Sequence, residues 1–299
     1  MSAPPLHVRK QARAAYAFLA PGLILIGVFF AVPVLGALLL SFTDFDLYAI
    51  GDPSALRVIG LRNYRELVSD PVFWIAMRNT LFFVVVGAPL SVFTSLGAAL
   101  LLDARLARWR TLFRTVYFAP VVTTLVAVAI VWRYLLHPRY GLINEGLMRL
   151  GLPAVDWLGD PHWSMPAIVL LAVWKNFGYN MVIFLAGLQS IPEELYEAAH
   201  LDGAGAWQRF RHVTMPMLGP TFLFVGITTM LGNFQLFSEP YVMTQGGPLR
   251  STTTVMLLMY EQGFRWWRMG YGAAIAFALF LVMLAVTWLQ LRVSRESAR

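Results

Sequence analysis

The side chains best placed to do chemistry in this sequence are uncharged and sit inside long apolar runs. Asn176 and Asn180 are four residues apart, hence on one helical face, with Tyr179 beside them. Thr229 and Asn233 repeat that spacing, and Gln235 lies close by. Amides, hydroxyls and a phenol exchange hydrogen bonds without carrying charge. Two uses fit such a set. It can replace water around the hydroxyls of a polyhydroxylated solute while the aromatic stacks on its ring, or it can bond one membrane helix to another at around 0.6 kcal/mol per bond. Lys175, next to Asn176, is the one charged side chain in these apolar runs, which hold no Asp or Glu. It reads as snorkelling or as pairing with a neighbouring helix, with contact to an anionic substrate as the alternative.

Covalent and metal chemistry have no foothold. Cysteine is absent, which removes disulfides, thiol nucleophiles and thiolate metal sites. His7, His137, His162, His200 and His212 fall in tails and loops without metal spacing, and neither H-E-x-x-H nor G-x-S-x-G occurs. A phosphate cradle of the form G-x-x-x-x-G-K-[ST] is also missing, because neither Lys10 nor Lys175 follows a glycine. The expectation is a non-enzyme with no catalytic residue, no metal and no cofactor of its own. The net charge of +7 is carried by arginines without an interleaved aromatic stripe, so nucleic acid is not an expected partner.

The elements that must hold the polar faces are membrane spans. Of 299 residues 58% are hydrophobic and only 13% charged, far below the roughly 25% charged of a soluble domain. A helix needs about 20 apolar residues to cross the hydrocarbon. Six segments qualify or nearly do: residues 14–43, 80–102, 115–132, 164–190, 215–238 and 271–291. Every backbone amide must pair internally in lipid, so the fold class is an all-α bundle of six transmembrane helices, a single domain over residues 14–291. The first apolar run is too long for a cleaved signal peptide and reads as an anchor. Basic residues are about twice as dense in residues 1–13, 103–114, 191–214 and 292–299 as in the other loops, which places both termini in the cytoplasm. The cluster Arg105, Arg108, Arg110 and Arg114 contributes most. Residues 63–77 and 252–263 read as short interfacial helices.

The cytoplasmic loop 191–214 is the most structured connection. Ser190 and Glu193 have the spacing of a capping box, with Pro192 in the first turn. Asp202 is placed to cap a second short helix, and Gly203 permits a sharp turn between the two. Trp207 and Phe210 add an apolar face. The product is a helix–turn–helix knob, lying on the membrane or projecting from it.

In sequence the knob reads Glu197-Ala198-Ala199, then Asp202-Gly203-Ala204-Gly205, followed by Phe210, Val213, Pro216 and Pro220. This run closely resembles the EAA motif of the permease subunits of type I ABC importers. Gly60-Leu61 with Asn63-Tyr64, Asp70, Phe73 and Asn79-Thr80 resemble the approach to the second span of the sugar-type permeases. Arg114, Pro120 and Trp132 resemble the next span, and Thr244 to Pro248, Thr252-Thr253, Tyr260, Phe264 and Gly270-Tyr271-Gly272 continue the likeness. Within the family the chain is most similar to the maltose- and glycerol-3-phosphate-type carbohydrate branch. The resemblance implies a coupling role for Glu197, Ala198, Ala199, Asp202, Gly203, Ala204 and Gly205, seated in a groove of an ATPase. It sets Tyr179, Thr229 and Asn233 near positions that line the substrate cavity. It further implies a second, homologous permease, two ATPase subunits that hold ATP and Mg, an extracytoplasmic solute-binding protein, and a sugar or polyol carried across a bacterial cell membrane by alternating access. The alternative is an ion-coupled secondary transporter.

Overall fold

The computed structural model describes residues 6–52, 56–103 and 110–297, so Arg105 and Arg108 of the basic cluster lie outside the described residues. In chain order, α1 (Leu6–Ile26) passes through a π turn into α2 (Val32–Leu40), and α3 (Leu47–Gly51) and α4 (Arg62–Ser69) are short. Then come α5 (Pro71–Asp103), α6 (Arg110–Val122), α7 (Leu125–Leu135), α8 (Leu142–Arg149) and α9 (Pro161–Gln189). After them α10 (Glu193–Leu201), α11 (Ala206–Arg209) and α12 (Met215–Met217) lead into α13 (Gly219–Phe234), α14 (Ser238–Met243), α15 (Val255–Tyr260) and α16 (Met269–Ser297). Among the described residues there is no strand, only one bridge between Thr43 and Val58. Five helices are long and apolar enough to cross a membrane, or six if the bent pair α6–α7 is one span.

The spans depart from simple rods where proline intervenes. Proline lacks the N–H for its i−4 bond and its ring crowds the turn below. The π turns Gly27–Ala31 and Phe210–Thr214 each sit just before a proline, Pro33 and Pro216. The third span, expected as one helix over 115–132, is two helices meeting at 99°. Its break follows Pro120: Thr123 folds its amide and hydroxyl back onto the Pro120 carbonyl, and Thr124 turns extended. The interfacial helix expected over 63–77 is likewise divided. Asp70 accepts from the Val72 amide, so Phe73 to Met77 belong to the first turns of α5. At 33 residues α5 is about 50 Å long, well beyond the hydrocarbon thickness.

The chain forms two compact units, Met1–Ser69 with Met259–Phe277, and Asp70–Leu258 with Ala278–Arg299. In the first, Asn63 donates to the carbonyls of Ser41 and Thr43 at 2.8 Å each, and Tyr64 shares a hydrogen bond with Ser41. Gly270 and Gly272 are there for proximity. A Cβ on Gly270 would stand 2.3 Å from the Thr43 carbonyl, and one on Gly272 would stand 2.9 Å from the Gly263 Cα.

In the second unit α9 packs along α5. Gly87, Ser91, Ser95 and Ala99 are buried at four-residue spacing on α5, a small-residue stripe that lets the backbones close up. Ser95 donates across to the Phe177 carbonyl at 2.9 Å. One apolar cluster gathers Phe83, Leu136, Ile168 and Leu171, and another gathers Leu96, Met181, Phe184, Leu218 and Val225. Gly178 brings α9 against α6 so closely that a Cβ would lie 2.1 Å from the Tyr117 carbonyl. Asn79 donates to the carbonyls of Arg250 and Thr253, tying α5 to the turn that precedes α15.

Candidate functional site

A cavity of 380 Å³ opens in the second unit between α5, α9, α13 and α14. That volume falls within the roughly 300–1,000 Å³ of small-molecule sites. Asn176, Tyr179 and Asn180 of α9, Thr229 and Asn233 of α13, and Gln235 just past the end of α13 all line it. On α9 the first three fall at i, i+3 and i+4, and all three reach the cavity. Asn180 donates to Thr229 Oγ1 at 2.9 Å and to Ser91 Oγ at 3.4 Å. It therefore both bonds helices together and lines the space, while Asn176, Tyr179 and Gln235 remain exposed. The Asn233 side-chain amide packs against Gly87, where a Cβ would sit 3.4 Å from its nearest atom.

The floor of the cavity is not helical. The backbone leaves α13 at Phe234 and re-enters a helix at Ser238, and Gln235, Leu236 and Phe237 between them all line the space. Irregular backbone at membrane depth is tolerated where it borders a cavity. Thr254 supports this break by donating to the Leu236 carbonyl at 2.7 Å.

Two features were not legible beforehand. The fifth crossing runs on through α14 to Met243, so it contains Glu239, which is buried and lines the cavity. The expectation that the spans hold no carboxylate is thus corrected. Glu239-Pro240 looks like the start of a loop, yet one carboxylate leaves the apolar sum of a crossing intact. Ser91 and Thr228 also line the cavity, Ser91 within the small-residue stripe of α5 and Thr228 beside Thr229 on α13.

Lys175 has a definite task. Its ammonium donates to the carbonyls of Pro120, Val121 and Thr123 at 3.0, 3.4 and 3.0 Å. Those carbonyls lie at the end of α6, where a helix runs out of intrahelical amide donors, and Pro120 also accepts from Thr123. The pairing with a neighbouring helix is therefore to the broken end of α6, and Lys175 and Glu239 are close enough to interact electrostatically.

The expected knob is present, with different capping. Ser190 closes α9 and donates to the Gly187 carbonyl, so no Ser190–Glu193 capping box forms, and Pro192 stands at the start of α10. Glu197, Ala198 and Ala199 lie on α10. Asp202 ends that helix instead of capping the next one. Gly203 turns the chain at φ +76°, and its Cβ direction is open space. Gly205 precedes α11, its amide held by the Gln208 side chain at 2.7 Å. Ala199, Asp202, Gly203, Ala204 and Gln208 border a cleft of 320 Å³. Leu201 and Trp207 project at 87% and 69% exposure. Tyr196 anchors the knob through a 2.9 Å bond to Thr214.

A multi-pass helical protein with a polar cavity between long apolar helices and an exposed helical knob has the build of a solute permease. The chain belongs to the family of binding-protein-dependent transport system inner membrane components, whose model matches residues 96–298. That membership favours an importer permease over the ion-coupled alternative and makes the chain a transport component. The chain is 38% identical over 284 residues to the lactose transport system permease protein LacF of Rhizobium radiobacter, covering 93% of each. It is 34% identical to the sulfoquinovosyl glycerol transport system permease protein SmoG of Agrobacterium fabrum, over 94% of this chain and 90% of that one. The fold is shared with a crystal structure of a bacterial ABC transporter that imports the acidic polysaccharide alginate. The TM-score is 0.80 at 24% identity, over 97% of this chain and 98% of the other.

Proposed function

We propose that this chain is one of two permease subunits of a bacterial inner-membrane ABC importer for a sugar or related polyol. The observation that carries the reading is the convergence of Asn176, Tyr179, Asn180, Thr229, Asn233 and Gln235 on one cavity at a break in a membrane helix. Amides and hydroxyls there replace water around cargo hydroxyls, and the exposed Tyr179 ring offers a stacking face. The relatives named for lactose and sulfoquinovosyl glycerol transport support a carbohydrate cargo.

In this reading a loaded extracytoplasmic binding protein docks on the outer loops, and both termini lie in the cytoplasm. Two partner ATPases hold ATP and Mg and close on nucleotide. The knob bearing Glu197, Ala198, Ala199, Asp202, Gly203, Ala204 and Gly205 transmits that closure to the bundle. This chain holds no nucleotide, metal or cofactor itself.

The test is affinity purification of the tagged chain from native membranes followed by mass spectrometry. Co-purification of a second EAA-bearing permease and an ATPase with a phosphate-binding loop is expected. An Ala204→Cys chain, otherwise free of cysteine, should cross-link to that ATPase. Recovery of the chain alone as a stable homo-oligomer would refute the proposal.

A further inference from the structure

Kinship leaves the charge of the cargo open, since one relative is named for a neutral disaccharide and another for a sulfonated glycoside. The cavity wall is more decided. Its polar lining consists of hydroxyls, amides, the Tyr179 phenol and the Glu239 carboxyl, and among the described residues no Lys, Arg or His lines it. The adjacent cation is turned away: Lys175 has three N–H groups and directs them at the carbonyls of Pro120, Val121 and Thr123. Arg133 donates to the Val242 carbonyl at 3.3 Å and does not line the cavity either. An anion entering here would lose its water and meet no cation in the wall, because Lys175, although close enough to act on Glu239, spends its N–H groups on carbonyls, and it would face a carboxyl at the floor.

We propose that this chain's half of the pathway admits uncharged polyhydroxylated cargo and excludes anions, with Glu239 as the residue that sets this selectivity. The inference rests on the reading of the cavity as the solute pathway. Fixed charge of one sign in a low-dielectric cleft raises the local concentration of the opposite sign and depletes its own. The carboxyl opposes an anion when ionised and supplies no positive charge when protonated.

Cysteine reactivity measures this without knowledge of the cargo, because the chain contains no cysteine. Thr228, an exposed residue of the cavity wall, is replaced by Cys in the complete importer, reconstituted in nanodiscs without nucleotide. The probes are methanethiosulfonates bearing a methyl, a trimethylammonium or a sulfonate group, with labelling of this chain normalised to the rates for free 2-mercaptoethanol. The expected cation-to-anion rate ratio is at least about tenfold, as for focused fields. It should collapse toward one in Thr228→Cys with Glu239→Gln and persist with Glu239→Asp. An anionic probe as fast as the cationic one overturns the proposal even if the Gln variant fails to assemble, because that comparison needs only Thr228→Cys. A ratio unmoved by Glu239→Gln removes Glu239 as its source and overturns the assignment. No reaction with the neutral methyl probe would instead sink the pathway reading itself.

Discussion

Replacing Lys175 by Met tests whether the bend in the third span is held from outside. Met keeps the length of the side chain and removes all three donors, taking a bond from each of the carbonyls of Pro120, Val121 and Thr123 and leaving Pro120 with its Thr123 donors. Interhelical hydrogen bonds in membranes range from about 0.6 to 1.7 kcal/mol, so three amount to about 2–5 kcal/mol. Part of that is offset, because a buried ammonium no longer has to be desolvated. A net loss of about 2 kcal/mol is expected once that offset is included. SDS-driven unfolding of the purified complex in mixed micelles, followed by tryptophan fluorescence, reads this directly. Lys175→Arg, which retains donors, should recover much of the loss. Because Leu125, the first residue after the bend, lines the cavity, transport should fall together with stability. Unfolding of Lys175→Met at the wild-type SDS concentration, with transport lost all the same, would refute the capping role and return Lys175 to the substrate.

Other perturbations separate packing from function. Gly178→Ala drives a Cβ into the Tyr117 carbonyl and should cost at least the roughly 1–3 kcal/mol of an overpacked core, seen as reduced yield of folded complex; a fully stable variant would contradict the close approach of α9 to α6. A double-mutant cycle of Asn180→Leu and Thr229→Val, read by SDS unfolding, should give a coupling energy near 0.6 kcal/mol, and none if their hydrogen bond is not made. At Gly203, Asn and Asp both tolerate positive φ, Asp adds charge as well as bulk, and an added Cβ meets nothing within 4 Å. Both variants should assemble, Gly203→Asp should largely abolish uptake, and wild-type uptake from it at normal levels would remove the coupling role. The Arg57 backbone amide and guanidinium hold the Asp44 carboxyl below the ordinary aspartate value of about 3.9. That contribution to stability is complete above about pH 4 and is lost as pH falls through the depressed value, so a carboxyl NMR titration finding Asp44 at or above 3.9 would contradict it.

The helical character and the position of the knob were legible from the sequence because each is a local property. Apolar runs must become helices in lipid, since nothing else there pairs the backbone. The polar faces of α9 and α13 were legible for the same reason, as spacing of three and four assigns residues to a side. That the two faces meet at one cavity required the packing of α5, α9 and α13, which brings residues 91, 180 and 229 within hydrogen-bonding distance. The capping was misread because the Ser190 hydroxyl has a competing carbonyl a turn away at Gly187, and because α10 runs on until the Asp202 backbone amide closes it. Lys175 could be recognised as exceptional, but its partner could not, because three carbonyls at a helix end leave no mark in residue types. Glu239 was hidden for a related reason: a carboxylate next to proline resembles a loop, and only the course of the chain past Phe234 carries it back against the cavity. Local pattern decided which segments enter the membrane and which faces are polar. Tertiary packing decided where those segments break and which charges face the space between them, because both depend on partners many residues away.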